Sequence, residues 1–283
     1  MTDELDPWDN LVPEGVKPAF YAYKYRHFIQ KYWVEAQVRI GIGFPSIIVT
    51  GRTGSGKSVL VSHYHGEANN LDWKVPGTST DVEIKPITIG DWTKIVAVIP
   101  GQNNAERAKS LDDALNKTDG LEGVIHVVDW GYTSVRSSEM EKDRIENKGF
   151  DSVEKVREQN IYEELRDFES ILDKVSMAKA NGRGPSWLLI AVNKIDLFED
   201  TVDEAARHYH PSYSGEFSKI LASFYKSVGE HNIRVDCIPV CSMPEPFKWN
   251  KQTVKSQIDS STRLRNYLRA FVDRVAALQN GSS

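Results

Sequence analysis

The sequence predicts an α/β fold in which helices cover both faces of a mostly parallel central sheet with one antiparallel edge strand. Short apolar runs typical of buried strands alternate along the chain with segments of helical periodicity. A glycine-rich turn at residues 51–58 joins the first such run to a helical segment. Residues 82–89 and 93–99 are both typical of strands, and Gly90 and Asp91 between them predict a hairpin, which supplies the antiparallel edge.

The other elements are predicted from the same patterns. The first strand covers residues 47–50, and a helix follows the glycine-rich turn from about Val59. Further strands are predicted at 123–129, 187–192 and 233–240. Helices are predicted at 105–117, from Ile161 to a stop at 181–185, at 203–210, at 216–230 and within 251–279.

Two regions differ in composition from the rest. Residues 1–44 form an acidic leader followed by an aromatic and basic stretch at 20–40, which we expect to be helical. That stretch either packs on the domain or contacts a partner or a membrane surface. The domain itself is predicted to span 45–280, with a charged, exposed insertion at about 131–160.

Composition restricts the function classes. The formal net charge of −5 argues against nucleic-acid binding through an overall basic surface. Cys237 and Cys241 are too few for a disulfide framework and make a poor zinc site, so we expect a reducing, cytoplasmic location. The first residues lack a signal-peptide core, and no apolar run is long enough to span a bilayer, although peripheral membrane contact stays open.

The turn at 51–58 reads GxxxxGKS, the phosphate-binding P-loop. Its glycines allow successive N–H groups to face phosphate oxygens, and the following helix N-terminus adds partial positive charge. Lys57 is expected to reach the β- and γ-phosphates, and the Ser58 hydroxyl to bind Mg²⁺. The residues predicted to surround the phosphates are Gly51, Arg52, Thr53, Gly54, Ser55, Gly56, Lys57, Ser58 and Val59.

A second motif, NKxD, follows the strand predicted at 187–192. The Asp196 carboxylate can accept from both N1–H and the exocyclic amine of guanine, whereas adenine offers no such pair of donors. Asn193 can brace the loop and the base edge, and the aliphatic stem of Lys194 can lie over the base. The motif therefore predicts a preference for guanine nucleotides.

These motifs resemble those of small GTPases in the translation-factor-related class of P-loop proteins, most closely the ADP-ribosylation factors and the signal-recognition-particle receptor β subunit. The resemblance rests on residues 51–58, 123–129, 193–196 and 241–242 and covers about 45–280. It implies a P-loop NTPase G domain that takes GTP, GDP and Mg²⁺, and an unidentified effector or activating protein as partner.

The resemblance also implies roles for single residues. Cys241 and Ser242 would contact the base, with the Ser242 N–H donating to guanine O6. Thr78 or Thr80 would bind Mg²⁺ in the GTP state. Gly101 would donate its N–H to the γ-phosphate, and Gln102 would orient the attacking water.

Three positions depart from this pattern. Val98 stands where such GTPases carry an aspartate and cannot hold a metal-bound water. Thr53, close to where the γ-phosphate and Gln102 would meet, can crowd that water and slow hydrolysis. Asp129 either structures a loop, which we favour, or partly replaces the missing acid. No arginine finger is identified: Arg52 is expected to point away, Arg136 is untested, and a partner can supply one.

The sequence leaves several functions open. The first is a GTP-dependent switch with slow or partner-stimulated hydrolysis, in which Lys57, Thr53 and Gln102 act at the γ-phosphate. The second, motivated by Val98, is a structural or scaffold protein that binds GTP without hydrolysing it. A P-loop ATPase is a third, although the chain has no LSGGQ-like signature. A nucleoside kinase is a fourth.

Overall fold

The computed structural model describes residues 45–65, 74, 82–89, 92–101, 105–116, 120–135 and 137–281. The strands are β1 (Ile47–Gly51), β2 (Glu83–Ile89), β3 (Trp92–Val98), β4 (Gly123–Val128), β5 (Trp187–Val192), β6 (Arg234–Pro239), β7 (Phe247–Trp249) and β8 (Gln252–Val254). The helices are α1 (Lys57–His65), α2 (Ala105–Asn116), α3 (Ser138–Glu146), α4 (Val153–Ala180), α5 (Val202–Tyr209), α6 (Glu216–Val228) and α7 (Ser261–Asn280).

Six strands form one sheet in the order β2-β3-β1-β4-β5-β6. Every neighbouring pair in it is parallel except β2 and β3, which confirms the predicted sheet with one antiparallel edge strand. Because β1, β4, β5 and β6 run in the same direction, the loops that follow them meet at one edge of the sheet. The two predicted motifs lie in these loops.

The core occupies both faces of the sheet. All residues of β1, β4 and β5 are buried, as expected for strands with helices on both sides. In β1, Ile47 and Val49 pack on the face covered by α1 and α7, whereas Ile48 packs on the face covered by α2, α4, α5 and α6. Within the described helices, none is long and apolar enough to cross a membrane.

Residues 131–160, predicted as a charged insertion, contain an exposed helix and the start of a buried one. Helix α3 has no buried residue. Helix α4, however, begins at Val153 rather than Ile161, and Val153 and Val156 are buried. The buried positions that follow Val156 in this helix are the polar residues Asn160 and Glu164. They interrupt the apolar periodicity, so the first two turns could not be predicted as helix from the pattern. The Ser152 hydroxyl accepts from the Lys155 N–H and begins the helix.

The helix predicted within residues 251–279 occupies only the later part of that stretch. The C-terminal helix begins at Ser261, and residues 252–254 are instead strand β8, paired with β7. Asn250 in the turn has a φ of 52°, a left-handed conformation that asparagine tolerates. Trp249 is buried and donates its Nε1–H to the Phe150 carbonyl oxygen at 2.7 Å, which fixes the hairpin beside the start of α4.

Several predictions fall outside the described residues. These are the leader and aromatic stretch within 1–44, the turn at Gly90 and Asp91, the metal-binding residues Thr78 and Thr80, the water-orienting Gln102, and Arg136.

Candidate functional site

The P-loop connects the buried strand β1 to helix α1, which begins at Lys57 inside the motif rather than after it. Gly54 and Gly56 have φ values of +86° and +91°, a backbone region that other residues rarely adopt. A Cβ atom on Gly56 would lie 2.3 Å from Asn193 Nδ2, so only glycine permits this close approach. Val59 follows in the first turn of α1 and is buried.

Lys57 folds back over the loop. Its side chain is buried, and Nζ donates to the carbonyl oxygens of Gly51 at 2.9 Å and Arg52 at 2.8 Å. The pKa of Lys57 is lowered to about 7, chiefly by burial and also by the nearby positive charge of Arg107, against the opposing effect of carboxylates that include Asp167. A bound anion would favour the charged ammonium, so this lysine is suited to a phosphate.

Two hydroxyls in the same loop are buried without a hydrogen-bond partner among the described residues. They are Thr53 Oγ1 and Ser55 Oγ. Buried hydroxyls are normally paired, and leaving one unpaired costs free energy. Their position beside the glycine-rich backbone fits a loop that receives phosphate oxygens.

The NKxD motif contacts the P-loop directly. Asn193 Nδ2 donates to the Ser55 carbonyl oxygen at 2.8 Å. Lys194 Nζ donates to the Gly54 carbonyl oxygen at 2.8 Å and lies 2.8 Å from Asp129 Oδ2. The loop after β5 is thereby attached to the loop after β1, and the two motifs form one site.

Asp196 lies in a 3₁₀ turn just after Lys194 and is completely buried. Its Oδ1 accepts from Cys241 Sγ at 3.2 Å, and its Oδ2 accepts from the Glu245 N–H at 3.2 Å. The Ser242 N–H, which the resemblance assigns to guanine O6, donates here to Asn193 Oδ1 at 3.0 Å. The segment at 241–245 therefore covers the Asp196 carboxylate in this structure.

The segment after β3 packs against the P-loop. The Thr53 N–H donates to the Gly101 carbonyl oxygen at 3.2 Å. A Cβ atom on Gly101 would lie 2.3 Å from Thr53 N and 2.6 Å from Lys57 Nζ, so the contact requires glycine. Val98, at the end of β3, is 1% exposed and packs in the core. Gly101 therefore lies directly beside the ammonium of Lys57.

Asp129 structures the loop after β4. Its Oδ1 accepts from Thr133 Oγ1 at 2.8 Å, and Lys194 is its ion-pair partner. Burial alone would raise the pKa of Asp129, but the Lys194 ammonium and the hydrogen bonds hold it below its usual value. These contacts support the structural role that the sequence favoured.

Sequence reasoning missed several residues that surround the site. Glu83 accepts from Ser58 Oγ at 3.2 Å. Arg52 points away from the loop interior, as expected, and forms an ion pair with Glu163 of α4. Arg107 forms a buried ion pair with Asp167 at 2.5 Å. Arg52 lies in the P-loop motif, but no local signal identified Glu83, Glu163, Arg107 or Asp167, because none of these four belongs to a contiguous motif.

Comparisons with known proteins agree with this geometry. Residues 46–172 match the family model described as 50S ribosome-binding GTPase. No curated protein sequence matches the chain significantly.

Two solved structures illustrate the wider similarity. The signal recognition particle receptor SRb–GDP from Chaetomium thermophilum is 15% identical, with 82% of this chain and 98% of that chain covered and a TM-score of 0.43. Toc33 from Arabidopsis thaliana in complex with GDP and Mg²⁺ is 12% identical, with 96% and 95% covered and a TM-score of 0.44.

The sheet order and the geometry of the two motifs give the chain the fold of a P-loop G domain, and residues 46–172 within it match a GTPase family model.

Proposed function

We propose that the protein binds GTP and GDP together with Mg²⁺ at the edge of the sheet where β1, β4, β5 and β6 end, and acts as a nucleotide-dependent switch. The observation that carries this proposal is the contact of Asn193 and Lys194 with the carbonyl oxygens of Ser55 and Gly54. This contact joins a loop suited to phosphates to a motif suited to a purine base.

The P-loop amides would hold the phosphates, and Lys57 would exchange its bonds to Gly51 and Arg52 for bonds to phosphate oxygens. The unpaired hydroxyls of Thr53 and Ser55 support this assignment, because phosphate oxygens are strong acceptors. Mg²⁺ would neutralise phosphate charge when bound, and the Ser58 hydroxyl would be one of its ligands.

Asp196 would select the base. A carboxylate has about four acceptor positions, and Cys241 and Glu245 use two of them, so two acceptor positions remain for the N1–H and the amine of guanine. Movement of the segment at 241–245 would open this carboxylate to the base. Adenine would leave it without donors.

Hydrolysis of bound GTP, if the switch uses it, would proceed by attack of water on the γ-phosphorus, and this chain's contribution would be positioning and charge. We propose Lys57 as the charged group, Gln102 as the residue that orients water, and Thr53 as a residue that slows the step. Thr78 or Thr80 would join Ser58 at the metal in the GTP state. Val98 in place of an acid supports slow or partner-stimulated turnover.

A second candidate is a GTP-binding structural protein that does not hydrolyse the nucleotide. Val98 favours it, because this buried valine offers no oxygen that could hold Mg²⁺ or its bound water. Single-turnover hydrolysis separates the two functions. Bound GTP that persists for hours with Mg²⁺ and with a cell extract as a source of partners would favour the structural protein.

A partner surface is proposed at α3. This helix has no buried residue, yet its Arg144 lies 3.4 Å from Glu163, the same carboxylate that pairs with Arg52 of the P-loop. A protein bound at α3 could therefore affect the P-loop through Glu163.

The base assignment has a direct test. A fluorescent GDP analogue should bind and should be displaced by GTP and GDP but not by ATP. Asp196→Asn should weaken guanine binding and favour xanthosine diphosphate, because an amide donates to the C2 oxygen of xanthine. Asp203→Asn, at an exposed position of α5, is the matched control and should bind like the wild type. Equal displacement by ATP and GTP would show the guanine assignment to be wrong.

A further inference from the structure

The sheet register places a carboxylate beside the position where an acid is missing. Glu83 of β2 lies directly opposite Val98 of β3 in the antiparallel ladder. Directly opposed residues in such a ladder project their side chains from the same face, with Cβ atoms about 5 Å apart. Glu83 therefore shares its face with the side chain of Val98 and lies one strand away from it.

The Glu83 carboxylate reaches the P-loop. Its Oε1 accepts from Ser58 Oγ at 3.2 Å, the hydroxyl expected to bind Mg²⁺. Its side chain is 25% exposed, so one part of the carboxylate contacts the loop while solvent has access to the group. The charge of Glu83 also acts on Lys57, where it opposes the lowering of the pKa by burial and Arg107. Glu83 thus contacts Ser58 and acts electrostatically on Lys57, the two P-loop side chains that are expected to bind the metal and the phosphates.

The residues present fit a magnesium ion. Mg²⁺ prefers oxygen ligands, keeps several waters, and is usually held by one or two carboxylates together with substrate phosphates. Ser58 and Glu83 supply a hydroxyl and a carboxylate within hydrogen-bond distance of each other. Among the described residues, no cluster of three or more histidine, cysteine or acidic side chains could hold a metal alone. A metal here would therefore depend on nucleotide phosphates as well.

We propose that Glu83 is the acidic group that holds Mg²⁺ at this site, directly or through a bound water, in place of the aspartate that Val98 replaces. The inference rests on the proposed guanine-nucleotide binding. Transfer of the acid from β3 to the adjacent β2 keeps it on the same face, and the additional methylene of glutamate extends its reach toward Ser58.

The test compares nucleotide affinity with Mg²⁺ and with EDTA by calorimetry. In the wild type, Mg²⁺ should increase the affinity for GDP and for a non-hydrolysable GTP analogue. Glu83→Gln should reduce this Mg²⁺-dependent gain by about 10- to 100-fold, the usual effect of removing a group that orients a metal. Affinity in EDTA should stay close to the wild-type value. The electron paramagnetic resonance spectrum of Mn²⁺ in the nucleotide complex should also change.

The matched control is Glu122→Gln. Glu83 lies 3.9 Å from the strand residue Lys85, and Glu122 is likewise a partly buried acid paired with a strand lysine, Lys94. Glu122, however, precedes β4 and lies at the opposite edge of the sheet from the P-loop. It should retain the full effect of Mg²⁺. The double variant Glu83→Gln/Val98→Asp returns the acid to β3 and should recover the gain if it folds, which thermal unfolding establishes.

The outcomes separate this inference from the proposed function. A Glu83→Gln protein with the wild-type response to Mg²⁺, or a wild type without any response, overturns the inference while guanine binding stands. A wild type that binds no guanine nucleotide even in EDTA overturns the proposed function and the inference with it. The response of Glu83→Gln to Mg²⁺ alone tests the role of Glu83, so this test does not depend on whether Glu83→Gln/Val98→Asp folds.

Discussion

Lys194 Nζ lies 2.8 Å from Asp129 Oδ2, and the Asp129 side chain is completely buried. The same ammonium donates to the carbonyl oxygens of Gly54 and, at 2.5 Å, of Tyr132. One lysine of the NKxD motif therefore holds together the loops after β1 and β4 as well as its own. This contact gives Lys194 a structural role before any nucleotide is bound.

We expect Lys194→Met to lower the free energy of unfolding by about 3 kcal/mol, because Asp129 would stay buried without its cation. Denaturant unfolding measures the change. Lys155→Met, which breaks the exposed pair with Asp151, is the control and should change stability little. Adding Asp129→Asn to Lys194→Met should recover part of the loss. Equal unfolding midpoints for Lys194→Met and the wild type would contradict this role.

The two motifs of the site could be predicted because each depends on contiguous residues. Glycines at fixed positions followed by Lys57 and Ser58 determine the P-loop locally, and the strand before Asn193 determines the edge at which NKxD lies. Glu83 could not be identified in this way. Its position beside Ser58 depends on the pairing of β2 with β3, which a linear pattern does not specify.

The missed boundaries have a similar cause. The start of α4 was hidden because Asn160 and Glu164 occupy core-facing positions where the pattern requires apolar residues. Both are buried because the loop after β4 pairs with them: Asn160 Nδ2 donates to the Gly131 carbonyl oxygen at 2.8 Å, and Glu164 accepts from the Gly131 N–H at 3.1 Å. Strands β7 and β8 have three residues each, too few to show an alternation.

Glu164 leads to a prediction about pH. Burial and the nearby charge of Asp129 raise the pKa of Glu164 well above its usual value of 4.5. The folded protein therefore binds more protons than the unfolded chain above pH 4.5, and stability falls as the pH rises from there. Glu164→Gln mimics the protonated form and still accepts from the Gly131 N–H.

We expect Glu164→Gln to be more stable than the wild type at pH 7 to 8, with the difference disappearing near pH 4.5. Urea unfolding at a series of pH values measures it. Glu158→Gln, at an exposed position of α4, is the control and should follow the wild type. A stability difference between Glu164→Gln and the wild type that stays constant from pH 5 to pH 8 would mean that Glu164 is already ionised in the folded protein.

Lys57 leads to a prediction about proton uptake. Folding lowers its pKa from 10.5 to about 7, chiefly through burial. Between these values the unfolded chain binds more protons, so the contribution of Lys57 to stability rises with pH across that window in the nucleotide-free protein. Phosphates favour the ammonium, so nucleotide binding should restore the proton.

At pH 8, GDP binding should take up about one proton. Calorimetry in two buffers of different ionisation enthalpy measures this uptake. Lys57→Arg is the comparison, because a guanidinium keeps its charge at this pH and should remove the uptake while retaining some phosphate affinity. The same binding enthalpy in both buffers for the wild type would mean that Lys57 is already charged before the nucleotide arrives.

Gly56 connects the two motifs sterically. Gly56 and Gly182 have similar left-handed backbones, with φ of +91° and +71°, but their surroundings differ. A Cβ atom on Gly182 meets nothing within 4 Å, whereas one on Gly56 would lie 2.3 Å from Asn193 Nδ2. Gly182→Ala therefore measures backbone strain alone, about 1 kcal/mol. Gly56→Ala should cost about 1–3 kcal/mol more, because Asn193 would have to leave the Ser55 carbonyl oxygen.

Denaturant unfolding of both variants measures the difference, and titration with GDP measures its consequence. Gly182→Ala should bind GDP like the wild type. Gly56→Ala should bind GDP weakly, because Asn193 of the NKxD motif would no longer contact the Ser55 carbonyl oxygen of the P-loop. The comparison separates backbone strain from contact between the motifs. Equal stability of the two variants would mean that Asn193 moves aside without cost, and the attachment of the two loops would then not depend on this glycine.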